Sequence, residues 1–555
     1  MAIKPIFWLD FANRLSYPIA RGVNTQSITS LESTMSKSNN LPSQGTIEVT
    51  AHRILRDLLR QQTVIRGDDA NTIADWNHHL TMTRLVARAL RMSKSALIQT
   101  GIATHRAEGK YRLSYLIPTL LWDDAVTIVI PECFQSKLVD LELPHLQQRL
   151  GTNRLVYRSS VPPESDFTGL WVVNPKSWLD LQLHNPSSDS IPTIIDGADD
   201  WENLARTLLT LTLAPADWYS LRLSQPPATW ETIGTAKIQL LETLWQRPDN
   251  PYNCYLLDPI ELEILDSLID RLPSSLPPEW AKFQHQLVDR QNCLIWATID
   301  RIHGEFTLNI VPHNLAPILT PIWTNQPTVL ITSSVDTSAE AIGYRQDLGI
   351  TEITSVKFSL DRQTDLFQLY IPRWMPMPNT PKFQPILVNE IQQLLHLIKR
   401  QPKFTLILVS DTPLQAQLAA ILAAEWGTRV QVEQTHLNEA NILISGWEFW
   451  HQHQDDLPTP QLTIVTTLPI PSLEDPLVAA KASFYKQQKQ DWFRLYLLPT
   501  GLKILHRATL PMRSSQGVVA IFDNRINQRS YGKQVLAALS PAARINYPDL
   551  TWLDR

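Results

Sequence analysis

Glycine is scarce in this chain. Only 17 of 555 residues are glycine, about 3% against a usual ~7%. Gly-rich loops bring backbone N–H groups up to phosphates, and little glycine is available here for that purpose. Cysteine is scarcer still: Cys133, Cys254 and Cys293 stand far apart and form no C-x-x-C pair. That count and spacing argue against a disulfide framework and against a four-cysteine zinc or iron–sulfur centre, and they predict a reducing, cytoplasmic setting. No apolar run approaches the ~18 residues of a membrane span, so no membrane association is expected. Asp10 interrupts the short run Ile6–Leu9, which argues against a secretory core. A basic excess is also missing: 49 Lys+Arg stand against 54 Asp+Glu, for a net charge of −5. A polycationic coat protein is excluded, whereas a local basic groove is not.

What is present describes a globular protein. Hydrophobic residues make up 43% and charged residues 19%, and at about 150 residues per domain the length predicts three or four units, in a chain expected to be monomeric. Residues 22–46 are rich in Ser, Thr, Asn and Gln and read as a linker, so residues 1–75 form an N-terminal extension. Within it Ile54, Leu55, Leu58 and Leu59 recur at helical spacing, with Arg53, Arg56 and Arg60 between them. This predicts an amphipathic helix. A second helix is expected over Met82–Leu90. Short, wholly apolar runs then begin at Ala96–Thr100, Val126–Ile130, Leu155–Arg158, Leu170–Val173, Thr193–Ile195 and Val329–Thr332. Strands buried on both faces look like this, and helical stretches separate several of them, so the class is α/β with parallel sheets. The first sheet domain is expected over 76–201. A mostly helical insertion, with helices at Trp230–Trp245 and Pro259–Leu272, fills 202–325, and a final strand of the first domain falls in 326–348. From 349 to 555 the alternation returns, with strands at Thr405–Val409, Arg429–Val432, Ile442–Ser445, Leu462–Thr466 and Val518–Phe522, and a helix at Leu414–Glu425.

The last third carries a resemblance. It reads T-L-P-I-P-S-L-E-D-P-L-V from Thr467, D-W-F-R-L-Y-L-L-P from Asp491, G-V-V-A-I-F-D-N-R-I from Gly517 and R-S-Y-G-K from Arg529. This order resembles the second motor domain of DinG/XPD-type superfamily 2 DNA helicases, where an LPFPSPxDPL segment is followed by FxxYxLPxA, GVVxxLDxR and SYGK motifs. Upstream, Leu330–Asp336 resembles the family's LTSATL strand, and Leu348–Gly349 and Pro376–Pro378 its following landmarks. Leu406–Ser410 resembles LVLFTS, Ile442–Trp450 the FWEG segment, and His79–Met82 the motif ahead of the first strand. Ile194–Asp199 stands at the DEAH box. The resemblance implies two RecA-like domains, binding of single-stranded or forked DNA in the cleft between them, and ATP and Mg²⁺ as cofactors of an unwinding motor.

At the places where that family keeps its chemistry this chain differs. Gly101 is followed by seven residues before Gly109, Lys110 and Tyr111, longer than G-x-x-x-x-G-K-[ST], and a tyrosine replaces the compact hydroxyl that would hold magnesium. Either Lys110 still meets phosphate from a remodelled loop with Gly101 and Gly109, or it is a solvated lysine. Asp196 stands at the DEAH aspartate and would hold Mg²⁺, but Gly197 replaces the water-activating glutamate. The stretch Asp196–Asp200 reads equally as a strand end and helix cap. In the arginine motif Thr509 and Leu510 replace glycine and the first arginine, and Arg513 keeps the second, as a candidate catalytic residue or as a surface arginine. His451, Gln452 and Gln454 replace the polar residues of FWEGxD, and the pair His451/His453 is too sparse for a metal. The four cysteines of the family's iron–sulfur domain are absent between Lys110 and Asp196, so neither that cluster nor zinc is expected. Arg507, Arg525, Arg529 and Lys533, with Trp492 among further lysines, form cation–aromatic stretches suited to a single-stranded nucleic acid, or else a solvated face over core aromatics. Three functions remain open: a helicase-derived DNA-binding protein with hydrolysis weak or lost, a working ATP-dependent helicase, and a nucleotide sensor without turnover.

Overall fold

The structure is a computed structural model that describes residues 47–66, 72–101, 110–184, 190–273, 275–336, 338–358, 366–398, 402–454 and 456–547, with only the backbone at 62–66, 72–77 and 110. The linker expected over residues 22–46 lies outside the described residues.

Two seven-stranded sheets, every pairing parallel, form the frame. In the first sheet the strands are β1 (Ala96–Gln99), β2 (Val126–Val129), β3 (Leu155–Arg158), β4 (Gly169–Val173), β5 (Thr193–Asp196), β10 (Thr328–Thr332) and β11 (Thr354–Lys357), ordered β11-β1-β10-β5-β2-β4-β3. In the second they are β12 (Phe367–Tyr370), β13 (Thr405–Val409), β14 (Val430–Val432), β15 (Ile442–Gly446), β16 (Leu462–Val465), β17 (Val518–Ile521) and β18 (Ala542–Ile545), ordered β14-β15-β13-β16-β17-β12-β18. The central strands are apolar at nearly every position because helices cover both faces. Since β11 pairs with β1, from Ala96 opposite Thr354 to Gln99 opposite Lys357, the first sheet runs beyond Leu348, and the chain changes sheets between Lys357 and Phe367.

The insertion is mostly helical, as expected, and it also contains a sheet that was not expected. Its helices pack on a four-stranded antiparallel sheet ordered β6-β9-β8-β7, from β6 (Leu211–Leu213), β7 (Cys254–Leu256), β8 (Cys293–Asp300) and β9 (Glu305–Pro312). β8 and β9 form a hairpin closed at Gly304, whose φ of +69° only glycine adopts freely. Trp218, Trp280 and Phe306 fill its core, with the two tryptophan rings edge to face at 4.9 Å. Leu294 and Val311 of the hairpin also join the core beneath the first sheet, where Trp178, Trp201 and Trp323 pack within 5.5–6.3 Å of one another. The insertion and the first sheet therefore share a core.

Before β1 stand two helices, Ile47–Arg66 and Thr72–Met92. Ala51, Leu55 and Leu59 of the first are buried against Ile117 of the helix Leu113–Leu121. Arg91, at the end of the second, pairs with Glu48 at the start of the first (2.7 Å), which makes the pair antiparallel.

The sequence motifs of the second domain have structural reasons. The fully buried Asp523 accepts the Leu468 N–H at 2.8 Å and two close contacts from the Arg525 guanidinium (2.9 and 2.6 Å), so one carboxylate ties the T-L-P segment to F-D-N-R. A Cβ on Gly517 would meet the Gln461 carbonyl oxygen, and one on Gly532 the Ile526 carbonyl oxygen. Both glycines are there for close backbone approach. Gly517→Ala and Gly532→Ala are each expected to lower stability by about 1–3 kcal/mol through overpacking. Gly234→Ala, in a helix where the new methyl meets nothing within 4 Å, should raise it by about 0.5–1 kcal/mol. Chemical denaturation of the three variants separates the two cases.

Candidate functional site

Asp196 ends β5, near the middle of the first sheet. Ligands of open parallel sheets gather at this end of the strands. The carboxylate is 2% exposed, and three neighbours donate to it. The Tyr111 hydroxyl lies 2.8 Å from both oxygens, the Tyr115 hydroxyl 2.9 Å from one, and Arg112 Nε 3.4 Å from the same one. Arg112, itself 2% exposed, also donates to Glu142 at 2.8 Å and lies over the Phe134 ring. The sequence places these groups simply. Lys110–Arg112 is a single 3₁₀ turn leading into the helix Leu113–Leu121, and tyrosines four residues apart share one helical face. Burial, then the charge of Asp196, pushes both phenols well above their ordinary pKa, so they stay protonated and act as donors. Burial opposes the charge on Arg112, but the Asp196 and Glu142 carboxylates beside it favour the charged form, and its pKa lies above the ordinary value.

A magnesium ion needs oxygen lone pairs and its own retained waters. Here the lone pairs of Asp196 already receive O–H and N–H groups, and a guanidinium holds the positive charge. This donor set fits a carboxylate that is satisfied internally and does not fit a divalent cation. At the next position, the glutamate place of the DEAH box, Gly197 has φ +87° and ψ +43°, a left-handed conformation that a glutamate adopts only under strain. Among the described residues no three His, Cys, Asp or Glu side chains gather as a metal site. Cys254 and Cys293 are buried in the insertion, where burial raises their thiols to about 12 and about 11.

Asp199 and Asp200 take separate roles, and neither caps the following helix through its side chain. Buried Asp199 accepts the Ser333 N–H at 3.1 Å and its hydroxyl at 2.5 Å, joining the acidic box to the end of β10. Asp200 faces the second domain, where His451 lies at 3.1 Å, Lys503 at 3.8 Å, and Arg507 donates directly to it. Burial opposes its ionisation, but the His451 hydrogen bond and the Arg507 and Lys503 charges outweigh that and hold the carboxyl well below its usual range. Glu202, which also pairs with Arg206 of its own helix (3.0 Å), adds a second bridge through Lys481 (2.8 Å), and His313 stacks on Phe484 at 4.7 Å. The boundary between domains at the acidic box is thus filled by direct contacts.

The other sequence-selected residues are dispersed. Gly101 donates to the Ser333 carbonyl at 2.7 Å with φ +76°. Gly109 and the Lys110 side chain lie outside the described residues. Arg513 is anchored within the second domain. It is 4% exposed, stacks over Phe367 at 4.8 Å and donates to the Leu539, Ser540 and Pro541 carbonyls at 2.9–3.3 Å, fastening the lead into β18. Arg507 is engaged by Asp200 and Arg525 by Asp523. Arg529 and Lys533 are exposed. They approach Trp492 through a ring chain, with Trp492 against Phe493 (6.2 Å) and Phe493 against Tyr531 (5.2 Å). The Lys486 ammonium sits over the Trp492 ring at 4.8 Å. Sequence reasoning missed Arg112, Tyr115, Glu142 and Lys503. The Tyr111/Tyr115 spacing was the one local signal available for any of them.

Comparisons with known proteins agree with this architecture. The helicase C-terminal domain family matches residues 456–542. The ATP-dependent DNA helicase YoaA of Escherichia coli K12 is 30% identical over 118 residues, a match spanning 20% of this chain and only 19% of that relative. A solved XPD helicase superposes with a TM-score of 0.55 at 12% identity, covering 85% of this chain and 99% of that one. S. tokodaii Xpd4 does so with a TM-score of 0.53 at 11% identity, covering 84% and 99%. At these identities the solved structures speak to the fold. Residues 456–542 thus belong to the helicase C-terminal domain family, and the chain has the fold of the XPD helicases.

Proposed function

We propose that this chain is a helicase-fold protein that binds single-stranded or forked DNA and whose ATP hydrolysis is weak or lost. The observation that carries this reading is the Asp196 carboxylate, sealed by the Tyr111 and Tyr115 hydroxyls and by Arg112. To take up Mg²⁺, those donors would have to leave, each becoming an unsatisfied buried group at about 1–3 kcal/mol. The phosphate-loop lysine, the acidic-box glutamate and the first arginine of the motif are the groups that such a motor uses to bind phosphate, position water and neutralise transition-state charge. Here Gly197 and Leu510 supply neither of the last two. Nucleic-acid binding is assigned to the second-domain surface bearing Trp492, Arg529 and Lys533. There, stacking and phosphate neutralisation can act together, and the DNA helicase relative supports DNA as the partner.

The two halves of this proposal are tested separately. Asp196→Asn should leave magnesium-dependent ATP turnover at the wild-type background, with and without oligo-dT. It should also lower stability by about 1–3 kcal/mol, because an Asn amide offers a single acceptor oxygen to the Tyr111, Tyr115 and Arg112 donors, and Arg112 keeps only Glu142 as an anionic partner. DNA-stimulated hydrolysis by wild-type protein that Asp196→Asn abolishes at unchanged stability would instead identify a working motor. Arg529→Ala/Lys533→Ala should weaken oligo-dT binding by about tenfold and lower its salt slope by about 1.4, at ~0.7 per single-strand phosphate contact. Fluorescence anisotropy over a salt series measures both.

A further inference from the structure

The N-terminal helix pair has a face that the function above does not use. One side of Ile47–Arg66 is buried against Ile117, as described. The other side, together with Thr72–Met92 and the turn after it, carries Arg53, Arg56, Arg60, Arg84, Arg88, Arg91 and Lys94. All but the half-exposed Arg56 are exposed. Against these seven cations the described side chains of the pair hold two carboxylates, Glu48 and Asp57, on Arg91 and Arg56 respectively. Arg53, Arg84 and Lys94 have no ion pair among the described residues, and Arg88 meets only the Met92 sulfur, at 3.4 Å. This concentration of positive charge stands on a chain whose net charge is −5.

The charges form one surface. Arg53, Arg56 and Arg60 follow i, i+3, i+7 spacing, and Arg84, Arg88 and Arg91 follow i, i+4, i+7, so each set lines a single face of its helix. The helices are antiparallel, and burial, then the Arg84 and Arg56 charges from opposite helices, lowers the His52 imidazole pKa. The two rows therefore converge at His52. Successive arginines stand about 4.5–6 Å apart along each axis, and Arg84 to Arg91 extends about 10 Å.

Like charges held this close on rigid helices repel each other unless a polyanion neutralises them. We propose that this face docks the phosphodiester backbone of duplex nucleic acid, apart from the single-strand surface of the second domain. The inference rests on the nucleic-acid-binding reading above. Duplex is favoured over single strand because no Phe, Tyr or Trp is interleaved with the arginines in the sequence from Arg53 to Arg60 or from Arg84 to Lys94, and single-strand platforms rely on stacked aromatics. Guanidinium groups in rows suit phosphate oxygens, which they meet with paired N–H donors. A lipid surface fits less well, since the apolar side of the first helix is already buried against its own fold. A protein that places the duplex here and a single strand near Trp492 would hold a fork by both of its parts.

The test compares full-length protein with Arg53→Gln/Arg84→Gln/Arg88→Gln on a blunt duplex, an oligo-dT of equal length, phosphatidylserine vesicles and polyglutamate, over a salt series. The variant is expected to lose about tenfold in duplex affinity and to show a salt slope shallower by about 2–3, at ~0.9 per phosphate released. Its oligo-dT affinity should change less than twofold. The single Arg88→Gln should lower the duplex slope by about 0.9 and guards against loss of fold in the triple variant. Unchanged duplex affinity and slope, or an equal loss on oligo-dT, overturns the proposal while leaving the single-strand reading in place. Vesicle or polyglutamate binding that the substitutions abolish, without a duplex effect, also overturns it and identifies the other polyanion. Binding to neither nucleic acid overturns both readings.

Discussion

A charged carboxylate has been taken out of water at the end of a central strand, and the structure around it follows from that. Asp196 is 2% exposed, and an isolated buried carboxylate costs far more than a domain can bear. Its neighbours are therefore donors: two phenols whose own burial keeps them protonated and one guanidinium. Arg112, buried in turn, needs further anionic contact and finds Glu142. One ionised group thus recruits residues from β5, from the helix that follows the expected phosphate loop and from the helical segment at Glu142. The second domain repeats the arrangement on a smaller scale, where the buried Asp523 gathers Leu468 and Arg525. In both domains a buried carboxylate joins segments that the sequence presents as separate motifs.

What could be read from the sequence follows from how locally each feature is determined. Central strands such as Thr405–Val409 and Val126–Val129 are buried on both faces, and their apolar runs announce them. The edge strands β11 (Thr354–Lys357) and β18 (Ala542–Ile545) are mostly half-exposed and carry polar residues, so they gave no comparable signal, and the first sheet extends beyond the expected boundary for that reason. The β8–β9 hairpin was hidden among prolines and helices of the insertion: burial alternates only toward its Gly304 turn, and the far halves of both strands are buried at most positions. At the site, motif positions drew attention to Asp196, Gly197 and Tyr111. They could not show Glu142 beneath Arg112. Nor could they show Arg507, 307 residues after Asp200 and in direct contact with it, because only the assembled fold makes those residues neighbours. Arg513 illustrates the reverse case: a motif position preserved in sequence whose side chain holds the Leu539–Pro541 backbone.

The contacts across the domain boundary and those around Asp196 differ in magnitude, and that difference bears on what the fold can still do. Asp200 is 38% exposed in its ion pairs, and solvent-screened pairs of this kind contribute about 0–1 kcal/mol each. The Lys481–Glu202 bridge is more covered, with side chains 19% and 27% exposed, yet it too opens to water. Several such contacts together amount to a few kcal/mol, which a ligand favouring a different domain arrangement can offset through its differential affinity. The Asp196 cluster is another matter, since breaking a fully buried charge pair costs about 3–5 kcal/mol before any of its donors finds a new partner. The domain boundary is accordingly the part of the molecule that binding energy can move, and the Asp196 cluster the part that it leaves fixed. On the proposed function, the energy to rearrange the domains then comes from nucleic acid laid across them, and a nucleotide cycle is not required to supply it.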